Sequence, residues 1–146
     1  MATMLEQLER MMRGEAPMPA IAKLIGFRLT GAKRGEAIIE MDAEASRHAN
    51  PMGTLHGGVL CDIADAAMGM SYFSTLEEGE SFTTLELKIN FLRPVWNDRL
   101  VASGRVIQRG KTVGLVECTV TNSKGDRVAY STSTCLTLRG DMAKGR

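Results

Sequence analysis

Nowhere in these 146 residues does an apolar run approach the ~18 residues that a membrane-spanning helix requires. That excludes a transmembrane helix. No excess of one charge is present either, since 18 Lys and Arg stand against 17 Asp and Glu, a net charge of +1. A nucleic-acid footprint would need a basic stripe, so any cationic site here must be local. Cysteine is scarce and odd in number, with Cys61, Cys118 and Cys135 showing no C-x-x-C spacing. Only two histidines exist, and His48, His56, Cys61 and Asp65 fit no zinc-ligand pattern, so no metal is expected. The G-x-S-x-G elbow of serine hydrolases is missing too. The opening MATMLEQLERMMRGEAP is charged throughout and lacks the apolar core of a secretory signal. Reduced, mostly buried thiols in the cytoplasm are therefore the expectation.

What is present reads as one domain over residues 1–146, with no repeat, linker or low-complexity segment. Leu5, Leu8, Met11 and Met12 have helical spacing, and residues 17–26 read as a second short helix closed by Gly26. These make short N-terminal helices over about residues 3–25. Strands follow at 27–33 and 36–43, joined by Arg34-Gly35. Residues 44–55 are polar, contain Pro51 and Gly53, and are expected to form a loop. One long helix runs from Gly57 to about Ser74. In TTLELKINFL, Leu85, Leu87, Ile89 and Phe91 alternate with Thr84, Glu86, Lys88 and Asn90, which predicts a strand with one apolar face. Further strands fall at 98–108, 112–123 and 127–138, separated by tight turns that force antiparallel pairing. The expected class is α+β, an antiparallel sheet around a central helix.

That helix carries a carboxylate that burial alone does not explain. Setting Val59 at zero and advancing about 100° per residue, Val59, Leu60, Ile63, Ala67 and Met70 form a core-facing stripe. Cys61, Asp65, Met68 and Tyr72 fall on the other side, at roughly 180–240°. A helix apolar almost all round is buried on both sides, and a second copy of the protein is the simplest cover. Asp65 would then occupy a partly dry interface, where an unpaired charge is costly. Such a carboxylate is kept either as a hydrogen-bonded anchor or for catalysis, and the residues alone leave both open. Asp62 reads as a first-turn acid favoured by the helix dipole. Gly57 and Gly58 at the helix start offer backbone N–H groups to an anion or a polarised carbonyl.

The stretch N-P-x-G-x-L-H-G-G over residues 50–58, with an aspartate nine positions after His56, resembles the hotdog-fold thioesterases. It is most similar to the group typified by the phenylacetate-pathway and 4-hydroxybenzoyl-CoA enzymes. INFLRP, RVIQRGKTVGLVECTV and the final GDRVAYSTST strand resemble that group as well, so the likeness covers roughly residues 20–138. The resemblance implies an acyl-CoA thioesterase with a hotdog fold, a long central helix wrapped by a curved antiparallel sheet. It makes Asp65 the general base or nucleophile and the Gly57 N–H the group that polarises the thioester carbonyl. Asn50 would help hold the carbonyl or the water, His56 precedes the glycine, and Thr84 would orient water near the carboxylate. The site would form between two subunits, in dimers that assemble into tetramers.

Coenzyme A enters as part of the substrate, so no separate cofactor is expected. Its phosphates call for cations, for which Arg93, Arg109 and Lys111 are candidates, while Gly58 and Met68 would border the substrate. Nucleic acid and membrane are not expected partners. The alternative is a non-catalytic acyl-CoA-binding hotdog protein. A hotdog dehydratase would need a His–acid pair at other positions, which the helix lacks.

Overall fold

Thr3 starts the first helix, α1 (Met4–Met12), through a reciprocal cap: its hydroxyl accepts the Glu6 N–H at 3.1 Å, and the Glu6 carboxylate accepts the Thr3 N–H at 2.7 Å. The computed structural model describes all 146 residues. α2 (Ala20–Ile25) begins after Pro19 and ends at Gly26, whose φ of 93° is the left-handed cap that glycine takes without strain. Then come β1 (Phe27–Lys33), β2 (Glu36–Ala43), a short α3 (Ala45–His48) and the long α4 (Gly57–Phe73). β3 (Ser81–Phe91), β4 (Asp98–Arg109), β5 (Val113–Thr121) and β6 (Arg127–Leu138) complete the sheet.

All six strands pair antiparallel in the order β1-β2-β4-β5-β6-β3, leaving β1 and β3 at the edges. α4 packs across one face, chiefly on β4, β2 and β5. This is the expected α+β architecture. Helix and sheet meet so closely that a Cβ at Gly104 of β4 would collide with the Ala67 carbonyl and sit 2.7 Å from Ser71 Oγ. Gly104→Ala is expected to destabilise by at least about 1–3 kcal/mol, the usual cost of overpacking; urea melts of the two proteins would measure it, and an unchanged midpoint would contradict this packing.

Several expectations are corrected. The buried arc of α4 is wider than a stripe and rotated from it: Ile63, Ala64, Ala67, Met68, Ser71 and Tyr72 are all fully buried. The sheet curves around more of the helix than a flat surface would. Met68 and Tyr72 therefore belong to the core, while Met70 turns to the open side and is only half-buried. Ser71 survives there because its hydroxyl donates to the Ala67 carbonyl at 2.7 Å, and Tyr72 OH shares a 2.7 Å hydrogen bond with Thr137.

β3 also departs from simple alternation. A bulge between Thr84 and Glu86 switches the side-chain register, so Phe82 and Thr84 face α4 before the bulge and Leu87 and Ile89 pack inward after it. Leu85 is left 56% exposed rather than in the core. The 44–55 segment is not wholly loop. α3 forms within it, pinned by His48, whose Nδ1 accepts the Glu44 N–H at 3.0 Å while Nε2 donates to the Ile25 carbonyl at 2.9 Å.

Candidate active site

Asp65 stands in the third turn of α4, at the wall of a cavity of about 410 Å³. α1 contributes Leu8 and Met11 to that cavity, α2 contributes Ile21, and α4 contributes Asp62, Ala66, Gly69, Met70 and Phe73. Phe82 and Thr84 close it from β3. The bulge makes this possible, because it lets Thr84 face Asp65 on the helix while Leu87 and Ile89 further along β3 still pack inward.

The Thr84 hydroxyl donates to Asp65 Oδ1 at 3.4 Å, longer than a strong O–H···O bond. Desolvation by the apolar wall pushes the Asp65 carboxyl above the ordinary aspartate value; the Thr84 hydrogen bond pulls it back, and the charge of Asp62 adds to the rise. Asp62 is likewise raised by burial. It does not sit in the first turn of the helix, as expected, but lines the same cavity as Asp65. The arrangement is that of a poised base: an accessible carboxylate, made more basic by its surroundings, with a hydroxyl alongside.

A second cavity, of about 370 Å³, lies at the N-terminus of α4 and is bordered by Asn50, Gly57, Phe91 and Arg93. His56 caps the helix, its Nδ1 accepting the Gly58 N–H at 2.9 Å. That cap consumes the Gly58 donor and leaves the Gly57 N–H, at the first helical position, without an acceptor in the chain. Gly58 also has little room for a side chain, since a Cβ there would lie 2.8 Å from the His56 ring. At Gly57 a Cβ would press on Phe91, 2.8 Å from its ring. Asn50 is largely spent on its own loop: Oδ1 accepts the Met52 and Thr54 N–H groups at 3.0 and 3.1 Å, and Nδ2 donates to Thr54 Oγ1 at 2.8 Å. One amide hydrogen of Asn50 remains unused by these contacts.

The two halves of the site do not meet in one chain. Gly57 and Asp65 are eight residues apart on a straight helix, roughly 12 Å along its axis, and open into different cavities. The cations do not converge either. Arg93 is exposed beside Gly57. Arg109 is not free: it pairs with Glu80 at 3.3 Å, donates to Thr75 at 3.0 Å and lies 4.9 Å over the Tyr72 ring. Lys111 is exposed near it, in the turn before β5. Met68, being buried, does not reach the cavity; Met70 does.

Sequence reasoning missed Gly69, Met70, Phe82 and the α1 side chains. A glycine four residues after Asp65, on the same helical face, was the one available signal.

Residues 52–129 match the family described as the thioesterase superfamily. Human acyl-coenzyme A thioesterase 13 is 27% identical over 124 residues, 84% of this chain and 87% of that protein. Among solved structures, a phenylacetic acid degradation-related protein of Ralstonia eutropha is 34% identical, with a TM-score of 0.80 over 88% of this chain and 98% of its own. The E. coli PaaI protein, at 24% identity, shares the fold with a TM-score of 0.82 over 94% of this chain and 98% of its own.

Proposed function

The chain belongs to the thioesterase superfamily and has its hotdog fold, and on that premise we propose that it hydrolyses acyl-CoA thioesters carrying an aryl or medium-chain acyl group, with Asp65 as the catalytic carboxylate. The observation that carries this reading is the setting of Asp65: a carboxyl raised by desolvation, beside a hydroxyl, at the edge of an apolar cavity.

In the reaction, a water oxygen attacks the thioester carbonyl carbon while Asp65 takes the water proton. The Gly57 N–H, at the positive end of α4, stabilises the tetrahedral oxyanion. The C–S bond then breaks, the carboxylic acid departs, and the proton on Asp65 passes to the thiolate of coenzyme A. Direct attack by Asp65 would form a mixed anhydride first; trapping it in a single turnover distinguishes the two routes. Thr84 would hold the carboxylate or the water, and the spare Asn50 hydrogen would serve a carbonyl near Gly57, a role supported by the two residues bordering one cavity. No separate cofactor is required.

Because Gly57 and Asp65 are too far apart on one helix, the active unit is a dimer with Asp65 from one chain and Gly57 from the other. Edge strand β3 suits such an interface: its outer backbone groups are unpaired within the chain, and Phe91 and Leu92 are 55% and 52% exposed. Pairing of such dimers into tetramers, and a cytoplasmic setting for the three free thiols, complete the proposal. Arg93 is the candidate for a coenzyme A phosphate; Lys111 would reach one only from another part of the assembly.

Thiol release from a panel of aryl- and alkyl-CoA thioesters tests the reading, and failure to hydrolyse any of them would sink it. The pH profile supplies a second check. A carboxylate base works when deprotonated, so kcat falls as pH drops through its raised pKa. Asp62→Asn removes a charge that raises that pKa, so the acidic limb should move to lower pH. Thr84→Val removes the opposing hydrogen bond and should move it to higher pH. Shifts of the same sign in both variants would contradict the assignment.

A further inference from the structure

Gly69 lies in the interior of α4, where glycine is among the least favourable residues. Nothing in the packing demands it. At Gly104 and Gly114 a Cβ would collide with the Ala67 carbonyl and the Tyr72 ring respectively, so those glycines are fixed by close approach. At Gly69 a Cβ would meet only the Phe82 ring, with its nearest atom at 3.4 Å, an ordinary contact. The backbone there is ordinary helix and needs no special freedom. What the missing side chain does supply is space. Gly69 is one turn beyond Asp65 on the same face and opens directly into the cavity. From there toward the helix C-terminus the wall is Met70, Phe73 and Phe82, with no hydrogen-bonding side chain; the polar groups Asp62, Asp65 and Thr84 sit at the other end.

We propose that Gly69 is the acyl-specificity determinant: its absent side chain keeps open a hydrocarbon slot next to Asp65 that selects a bulky, apolar acyl tail over a short one. This rests on Asp65 marking the reacting carbonyl. A tail reaching past Gly69 buries methylene or ring carbons against Phe73 and Phe82, whereas an acetyl group leaves the slot to water. A hydroxyl at the far end of the tail would be buried without a partner, so the favoured acyl group ends in hydrocarbon.

The test uses two thioethers that cannot be hydrolysed, S-ethyl-CoA and S-hexyl-CoA, with calorimetric Kd values for the full-length wild type, Gly69→Ala and Gly69→Leu. Four extra buried methylenes predict a wild-type preference for the hexyl compound on the order of 10²-fold. Gly69→Leu fills the slot and should bring that ratio toward 1. Gly69→Ala should lower it by roughly 4-fold, one methyl's worth of space, while raising the melting temperature through better helix propensity. The alanine variant keeps the test decisive even where the leucine variant folds poorly. A wild type with no chain-length preference, or a preference that survives both substitutions, overturns the proposal. Hexanoyl-CoA hydrolysis is followed in parallel. Absent turnover with the Gly69-dependent preference intact would defeat the catalytic reading and leave the slot standing; turnover with a Gly69-independent preference would do the reverse.

Discussion

Asp65→Asn is expected to lower kcat on the best acyl-CoA substrate by about 10²–10⁴-fold, the usual contribution of a positioned base, with KM changed little. The substitution is nearly isosteric, and the asparagine carbonyl can still accept the Thr84 hydroxyl, whose bond to Asp65 Oδ1 is 3.4 Å. What it cannot do is take a proton from water or attack a carbonyl. Folding stability should hold or rise, because a carboxylate disfavoured by desolvation is replaced by a neutral amide. The paired readout separates the two roles the sequence left open. A structural anchor would lose stability and keep kcat, while a catalytic carboxylate would lose kcat and keep stability. Full activity in a well-folded Asp65→Asn protein would end the present mechanism.

The framework was legible because it is written in local chemistry. Gly26 and the Arg34-Gly35 turn punctuate the N-terminal third, and short turns between long alternating runs force the antiparallel β4-β5-β6 ladder. Asp65 and Gly57 were legible for a related reason: an acid inside an apolar helix and a glycine pair at its start are each out of place for burial alone. Other features depend on curvature and on distant partners. Helical periodicity gives angles but not how far a curved sheet reaches around them, which is why Met68 and Tyr72 were assigned to the wrong side. In TTLELK the β3 bulge leaves no local mark, because Thr84 and Leu85 both suit a strand. Arg109 looked like a free cation because Glu80, which captures it, lies 29 residues away. The cavity beside Asp65 needed α1 folded against α4, a tertiary fact that the amphipathic pattern of α1 only permits.

The proposed division of the site between two chains leads to the second large effect. Gly57→Pro removes only the first-turn N–H, at the helical position where proline is best tolerated. His56 already has the extended backbone that a following proline requires, with φ −64° and ψ 132°. The ring must displace Phe91, which the proposed dimer would hold at its interface, so gel filtration first checks that Gly57→Pro still dimerises. Loss of one oxyanion donor is expected to lower kcat by about 10²–10³-fold. Mixing this variant with Asp65→Asn, after subunit exchange, then gives a result that neither protein could give alone. In a two-fold dimer with a shared site, each mixed dimer has one site carrying both substitutions and one carrying neither. Half of the dimers are mixed at equal concentrations, so activity should recover to about a quarter of the wild-type value. A site contained within one chain would stay inactive in every combination. Recovery would therefore establish at once that Asp65 and Gly57 act together and that they do so from different subunits, which the roughly 12 Å between them along α4 demands of any shared chemistry.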